Sequence, residues 1–281
     1  MKRLFAFFLT MLCVLAHASG PAAITTVPNG FCVSPVKFNH TLYGCTSAQA
    51  SWFVTQWGTP TPSMGKFNSS GVAVSASQRA VWTAGTVPVW EMGLNATGIT
   101  CGNEFDGMFQ ATDNTNYPGY PAAQTNSAPL STLSALEHSI TVKNVYSVLT
   151  PGRCAITQSG ILTAVVLHNT TNGNTLFYQV ELTLVGNPAP ASSFFFTGPS
   201  TWGFGDMAWQ NYGTTQIAQG TTQVFNLNLL PRIEWVIANS TLPDKNLADW
   251  VVSGTYHGIH SWGDAVNTAT FSVFYLLQIP K

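Results

Sequence analysis

Apolar and polar residues alternate along several stretches of the chain, and a period of two is the pattern of half-buried β-strands. The clearest stretch is 175–185, where one predicted face is apolar and consists of Leu176, Tyr178, Val180, Leu182 and Leu184. A second long strand is predicted at 270–279, with one face made of Phe271, Val273, Tyr275, Leu277 and Ile279. Shorter strands are predicted at 72–77, 87–92, 139–149, 161–168, 193–197, 223–229 and 250–256.

Turn-forming residues separate these strands and leave little room for helix. Asn172-Gly173 is a strong signal for a tight hairpin, and a helix is predicted only at 231–238, where proline can occupy the first turn. Many strands with almost no helix predict an all-β fold, a two-sheet antiparallel jelly-roll sandwich with at most one short helix. We expect a single domain over 19–281, with 186–191 as a loop within it.

The N-terminus has the three-part layout of a secretory signal peptide. Met1 is followed by the basic residues Lys2 and Arg3, then by an apolar stretch at 4–15 and by small residues. Cleavage is expected after Ala16 or Ala18, so that 1–18 form the signal peptide. The mature protein is therefore expected to be secreted or periplasmic.

Four cysteines remain after the predicted cleavage, and an even number in an exported chain predicts two disulfides. The sequence alone allows three connectivities among them. We prefer Cys32 with Cys45 and Cys101 with Cys154.

Ionised side chains are scarce, since only 7% of the residues are Asp, Glu, Lys or Arg, against about 25% in an ordinary soluble domain. Loss of Lys2 and Arg3 with the signal leaves 8 basic against 11 acidic residues, a net charge of −3. Nucleic acid is excluded as a partner, because binding to it depends on basic clusters. Neutral hydroxyls, amides and aromatic rings favour a neutral polysaccharide or glycan, although a structural or adhesive surface protein could share this composition.

The densest carboxylate pair lies in the segment 102–107. If this segment is extended, Glu104 and Asp106 project to the same face and repel one another unless a cation lies between them or one keeps a proton. The run Glu104-Phe105-Asp106 resembles the strand with which legume lectins hold a transition metal and calcium. That resemblance implies a concanavalin-like jelly roll and a calcium site that Asp113 and Asn114 would complete.

The same run also resembles the Glu-x-Asp-x-Glu strand of laminarinase-type glucanases, whose outer glutamates are nucleophile and general acid. Here Met108 replaces the last glutamate. A glycosidase needs a pair of carboxyl groups, so this resemblance implies that Glu104 or Asp106 works with a partner from elsewhere. The candidates for that partner are Glu91 and Glu234.

Aromatic residues beside glycines predict an open platform on which sugar rings can stack, namely Trp202, Trp209, Tyr117 and Tyr120. The alternative is that such rings fill the core, as most aromatic residues do. The first functional hypothesis is therefore a lectin-like carbohydrate-binding protein, and the alternative is a polysaccharide-cleaving, glycosidase-like enzyme.

A third hypothesis is a copper monooxygenase. Cleavage after Ala16 would make His17 the N-terminal residue, whose amine and imidazole can chelate copper. The candidate second ligands are His138, His168, His257 and His260. If 257–260 is extended, however, the rings of His257 and His260 point to opposite faces.

Overall fold

The computed structural model describes residues 20–34, 42, 44–58, 64–112, 122–187, 195–199, 206–211 and 217–281. Within these ranges the backbone forms two β-sheets and one α-helix. The all-β sandwich prediction is confirmed.

The first sheet has seven strands, all paired antiparallel. They are β1 (Ala22–Ala23), β4 (Val72–Val74), β5 (Gln78–Thr83), β6 (Val89–Asn95), β8 (Leu133–Leu149), β13 (Thr222–Asn228) and β15 (Ala265–Pro280). Their order is β13-β8-β15-β6-β5-β4, and β1 pairs with β15.

The second sheet has eight strands in the order β11-β12-β10-β9-β14-β7-β3-β2. They are β2 (Phe31–Val33), β3 (Trp52–Trp57), β7 (Glu104–Thr112), β9 (Thr157–Asn169), β10 (Thr175–Asn187), β11 (Phe195–Pro199), β12 (Asp206–Asn211) and β14 (Trp250–Trp262). The pairs β2–β3 and β10–β12 are parallel, and the remaining pairs are antiparallel.

The main core lies between the two sheets. Trp52, Trp250 and Phe109 of the second sheet pack there with Trp90 and Phe271 of the first, and all five side chains are fully buried. The apolar face predicted for 175–185 contributes Leu176, Tyr178, Val180 and Leu182 to this core. The long strands of the second sheet are therefore positioned by the apolar face that they turn toward the first sheet.

The predicted helix and hairpin are both confirmed. Helix α1 (Leu230–Asn239) has proline in its first turn, and it buries Ile233, Val236 and Ile237 as one face. The hairpin between β9 and β10 turns at Gly173, whose φ of 76° is in the left-handed region that glycine adopts without strain.

The predicted face assignment of 270–279 is wrong beyond Ser272. The pairing of β15 with β8 shifts between Ser272 and Tyr275, and Val273 there takes a φ of 47°. This irregularity turns Phe274 and Leu276 into the core and leaves Val273 exposed. A period-two pattern does not reveal a bulge, which reverses every side chain that follows it.

Two disulfides join Cys32 to Cys45 and Cys101 to Cys154, as preferred from the sequence. Arg153, next to the second disulfide, forms an ion pair with Asp264, whose carboxylate also accepts a hydrogen bond from the Gly98 amide. None of the helical segments among the described residues has the length and apolar character needed to cross a bilayer.

Candidate functional site

The acidic segment forms the start of β7, in the middle of the second sheet. Phe105 and Phe109 of this strand enter the core between the sheets. Because side chains alternate along a strand, Glu104 and Asp106 lie on the opposite face of the sheet. The sequence prediction that these two carboxyl groups share one face is confirmed.

The strand register places a histidine beside this pair. In the antiparallel pairing of β14 with β7, His260 lies opposite Asp106 and Trp262 lies opposite Glu104. On its other side β14 pairs with β9, where His260 lies opposite Gly160. Glu181 comes from β10, the strand beyond β9. Strands β7, β10 and β14 thus bring three carboxyl groups around one imidazole ring, and β9 lies between β10 and β14.

Both nitrogens of the His260 ring face carboxylate oxygens. Nδ1 lies 2.8 Å from Oε1 of Glu104 and 4.0 Å from Oδ1 of Asp106, and Nε2 lies 3.0 Å from Oε2 of Glu181. The side chains of His260 and Glu181 are completely buried, whereas that of Glu104 is 27% exposed. Glu104 is therefore the member of the cluster that solvent reaches most easily.

A second layer of polar groups holds Glu181. Its Oε1 accepts a hydrogen bond of 2.7 Å from the Gln179 amide, and Gln179 Oε1 accepts one of 3.0 Å from the Tyr256 hydroxyl. The Tyr256 ring stacks on Phe177 with a centroid separation of 4.6 Å. This chain of contacts fixes the Glu181 carboxylate and, through it, the His260 ring.

Glycine at 160 makes room for the imidazole. A Cβ atom at this position would lie 2.2 Å from His260 Nε2 and 2.8 Å from Glu181 Oε2. Both distances are shorter than van der Waals contact. Any side chain on Gly160 would therefore displace the histidine or the glutamate.

The environment pushes the pKa values of two cluster members upward. Burial, together with the charge of neighbouring Glu104, raises the pKa of Asp106 well above its usual value. Burial by itself would lower the pKa of His260, but the charge of Glu181 and the hydrogen bonds to both glutamates raise it well above its ordinary value. Both shifts thus act in the same direction, toward the protonated forms of Asp106 and His260.

The structure does not bring the two predicted partner carboxylates to this cluster. Glu91 lies on β6 of the first sheet and forms an ion pair with Arg79. Glu234 lies on α1, which packs on β8 of that same sheet. The third carboxyl group of the cluster is instead Glu181, which alternates with the apolar residues predicted for 175–185 and so lies on the opposite face of that strand.

Several predicted residues lie outside the described residues, so their roles stay predictions. These are the copper candidate His17, the calcium ligands Asp113 and Asn114, and the aromatic residues Tyr117, Tyr120 and Trp202. The backbone of Trp209 lies on β12, but the structure does not describe its side chain. The lectin-like platform and the calcium site remain predictions for the same reason.

The histidines considered as copper ligands do not form one cluster: His138 and His257 are neighbours in the core, while His260 and His168 lie elsewhere. His257 accepts a 2.6 Å hydrogen bond from Trp90 Nε1 in the core, and His138 contacts the Thr163 hydroxyl at 2.7 Å. His260 lies on the opposite face of β14 from His257, as the extended-strand prediction required. His168 is half-buried near the end of β9.

Sequence reasoning missed the grouping of His260 and Glu181 with the acidic pair. Glu181 was visible as a lone carboxylate within a strongly apolar strand, and such a group needs a buried partner. This signal could have marked it as a site residue. The identity of its partner depended on the strand order, which the sequence pattern did not provide.

Neither a family model nor a curated protein matches the chain. Solved structures of similar shape include the family 11 xylanase from Neocallimastix patriciarum, with a TM-score of 0.46 and 10% identity over 81% of this chain and 99% of that one. The native family 12 xyloglucanase from Bacillus licheniformis has a TM-score of 0.43 and 12% identity, covering 79% and 99% of the two chains. Endoglucanase 3 from Trichoderma harzianum has a TM-score of 0.39 and 9% identity, covering 84% and 99%. Likeness this distant carries no information about activity.

Proposed function

We propose that the protein is an exported glycosidase that cleaves a neutral polysaccharide at the Glu104–Asp106 pair. The observation that carries this proposal is a pair of neighbouring carboxyl groups in unlike environments. Asp106 is buried and has a raised pKa, while Glu104 is partly exposed and lies against the His260 imidazole. Environments that separate the pKa values of two acids are how one becomes a proton donor and the other a nucleophile.

In the proposed reaction, Asp106 donates its proton to the oxygen of the leaving sugar. Glu104 attacks the anomeric carbon as the glycosidic bond breaks, which gives a glycosyl ester on Glu104. The Asp106 carboxylate then takes a proton from water, and the resulting hydroxide cleaves the ester. The acid is thereby returned to its starting state, and no other reactant is required.

The spacing of the pair favours retention of configuration at the anomeric carbon. One oxygen of Glu104 and one of Asp106 lie within 4.8 Å of each other. Inverting glycosidases need about 6.5–9.5 Å between their carboxyl groups to admit a water molecule, and this pair is closer than that. We therefore expect the first product to keep the anomeric configuration of the substrate.

Two half-buried tryptophans beside the pair support a sugar as the substrate. Trp57 lies opposite Asp106 in the pairing of β3 with β7, and Trp262 lies opposite Glu104. Such rings offer apolar faces to the C–H surfaces of a pyranose. The low charge of the whole chain supports a neutral polymer over an acidic one.

The test is release of reducing ends from a panel of neutral polysaccharides, including xylan, xyloglucan and β-glucan. Wild-type protein should cleave at least one of them. Glu104→Gln and Asp106→Asn should each lower the rate by about 10²–10⁴-fold, because each removes one of the two reacting groups. The matched control is Glu91→Gln, which removes a carboxylate on the other sheet and should leave the rate unchanged.

The anomeric form of the first product, followed by NMR, checks the role of Glu104. Retention supports it as the nucleophile, and inversion contradicts it. Cleavage of no polymer, an unchanged rate in Glu104→Gln, or an equal loss in Glu91→Gln would overturn the proposed function.

A further inference from the structure

We propose that Glu104, Asp106 and His260 form a binding site for a divalent transition cation of the Zn²⁺ class. This site goes beyond hydrolysis, since cation binding is expected whether or not the protein cleaves glycans. It also differs from the predicted calcium site, because one of its ligands is a histidine nitrogen and none comes from the loop after β7.

The three donor atoms are already gathered. One oxygen of Glu104, one of Asp106 and Nδ1 of His260 all lie within 4.8 Å of one another. A cation about 2.0–2.2 Å from each donor requires donor separations of about 3–4 Å. The separations from His260 Nδ1 are 2.8 Å to Glu104 and 4.0 Å to Asp106, so small rotations of the side chains are sufficient.

A buried oxygen of Asp106 points into the cluster without a partner. The residue is only 6% exposed, and its Oδ1 atom is shielded from solvent and accepts no hydrogen bond. A buried carboxylate oxygen without a donor costs free energy. Within the described residues, the nearest basic group is the His260 imidazole at 4.0 Å, so a bound cation would supply the missing interaction.

The outer contacts are those of a metal-bound histidine. Metal-ligating imidazoles usually direct the second ring nitrogen at a carboxylate, which fixes the ring and increases its basicity. Here Nε2 of His260 lies 3.0 Å from Glu181, and Glu181 is itself held by Gln179. Nδ1 is thereby the nitrogen that remains for a cation, and it is the one that faces Glu104 and Asp106.

The donor set selects the class of cation. Calcium takes six to eight oxygen ligands and rarely nitrogen, whereas one imidazole with two carboxylates suits Zn²⁺, Co²⁺ and related ions. Three protein ligands leave a coordination position free for water. If the protein also hydrolyses glycans, the cation occupies Glu104 and should inhibit the reaction; only this inhibition rests on the proposed function.

The experiment is titration of the full mature protein with Co²⁺, followed by its visible absorption bands, and with Zn²⁺, followed by calorimetry. Wild-type protein should bind one equivalent of each. Asp106→Asn and His260→Gln should each weaken binding at least about 10-fold, and Glu181→Gln should weaken it about 10- to 100-fold through the imidazole. Glu91→Gln, which removes an equal charge on the other sheet, is the matched control and should bind like wild type.

Circular dichroism of each variant separates loss of a ligand from loss of the fold. A correctly folded Asp106→Asn or His260→Gln variant that binds as tightly as wild type would overturn the site. So would the absence of stoichiometric binding in wild-type protein, or an equal loss of affinity in Glu91→Gln. Tighter binding of Ca²⁺ than of Zn²⁺, insensitive to His260→Gln, would assign the cluster to calcium and also overturn this inference.

These binding measurements are independent of catalysis. Zinc binding without polysaccharide cleavage supports the cation site and contradicts the proposed function. Polysaccharide cleavage without zinc binding supports the proposed function and contradicts the cation site. The two proposals can therefore fail separately.

Discussion

The two faces of strand β14 carry histidines three residues apart whose pKa values are shifted in opposite directions. His257 enters the core among Trp52, Phe109 and Phe274, and its Nε2 accepts a hydrogen bond from Trp90. A nitrogen that accepts from an indole N–H carries no proton, so this ring is neutral. Burial, with a contribution from neighbouring His138, also lowers the pKa of His257 well below its usual value.

His260 is equally buried, but it faces carboxylates from two sides. Its environment raises its pKa, whereas that of His257 lowers it, although desolvation acts downward on both rings. The difference lies in the neighbouring groups: among the described residues, carboxylates contact His260, whereas aromatic rings surround His257. Burial alone therefore does not decide the state of a histidine, and its partners do.

The largest change in stability is expected when the His257 imidazole is removed from the core. His257→Ala should lower the free energy of unfolding by about 3–5 kcal/mol, because it leaves a cavity and removes the acceptor of the Trp90 indole. Urea unfolding measures the change. His168→Ala, at a half-buried position, is the control, and an equal loss there would contradict a special role for the core face.

Acid should destabilise the protein through the core histidines. Burial lowers the pKa of His138 to about 4, from an ordinary value of about 6.5. The folded state thus keeps this ring neutral while the unfolded chain takes up a proton. Stability is complete above pH 6.5 and falls as the pH approaches 4, by about 3 kcal/mol for His138 alone.

Urea midpoints between pH 8 and pH 4 check the acid effect against His138→Gln, which has no ring to protonate. The stability advantage of the wild type over the variant should shrink as the pH falls, because only the wild type has a buried ring that becomes harder to keep neutral. A constant difference over this range would show that His138 titrates normally in the fold.

Gly160→Ala should disturb the face of β14 that carries His260 and leave the face that carries His257 unchanged. The added methyl group would overlap His260, and we expect a loss of about 1–3 kcal/mol from the resulting strain. Imidazole NMR signals of His260 should shift while those of His257 stay in place. Gly254→Ala is the control, because a Cβ there meets Val166 at an ordinary 3.4 Å; equal effects would refute the steric explanation.

The smallest change in stability is expected from the hydrogen bond between Tyr256 and Gln179, which supports the cluster around His260 from outside. Tyr256→Phe removes only the hydroxyl that donates to Gln179 and should cost about 1 kcal/mol. Thermal unfolding is sensitive enough to detect this change. Tyr146→Phe removes a hydroxyl from an exposed ring, and an equal cost there would indicate that the buried chain of contacts contributes nothing.

Sequence patterns predicted best where a strand has one buried face. The 175–185 strand and the 231–238 helix were predicted with nearly correct bounds, because each shows its own period. Strand β3 was not predicted, since it is buried on both faces over 52–56 and its polar and apolar residues do not alternate. The bulge in β15 was equally invisible, because it leaves composition and period unchanged.

Local sequence determined the relative position of two of the four residues of the candidate site. Glu104 and Asp106 are two residues apart, so strand geometry alone places them on one face. His260 and Glu181 are far away in the chain and reach the pair only through the strand order β10-β9-β14-β7. For the same reason Glu91, which is much nearer in sequence, belongs to a different sheet.

The sequence by itself determined the class of fold and the shared face of Glu104 and Asp106, because these depend on composition and on periods within one element. It left three cysteine pairings open, and the tertiary structure selected one. Tertiary structure decided which strands are neighbours, and hence which groups lie against each carboxylate. It also decided that the pKa of one histidine of β14 is lowered and that of another is raised. The physical reason is that the charge state of a buried group depends on atoms a few ångströms away, and strand pairing draws those atoms from distant parts of the chain.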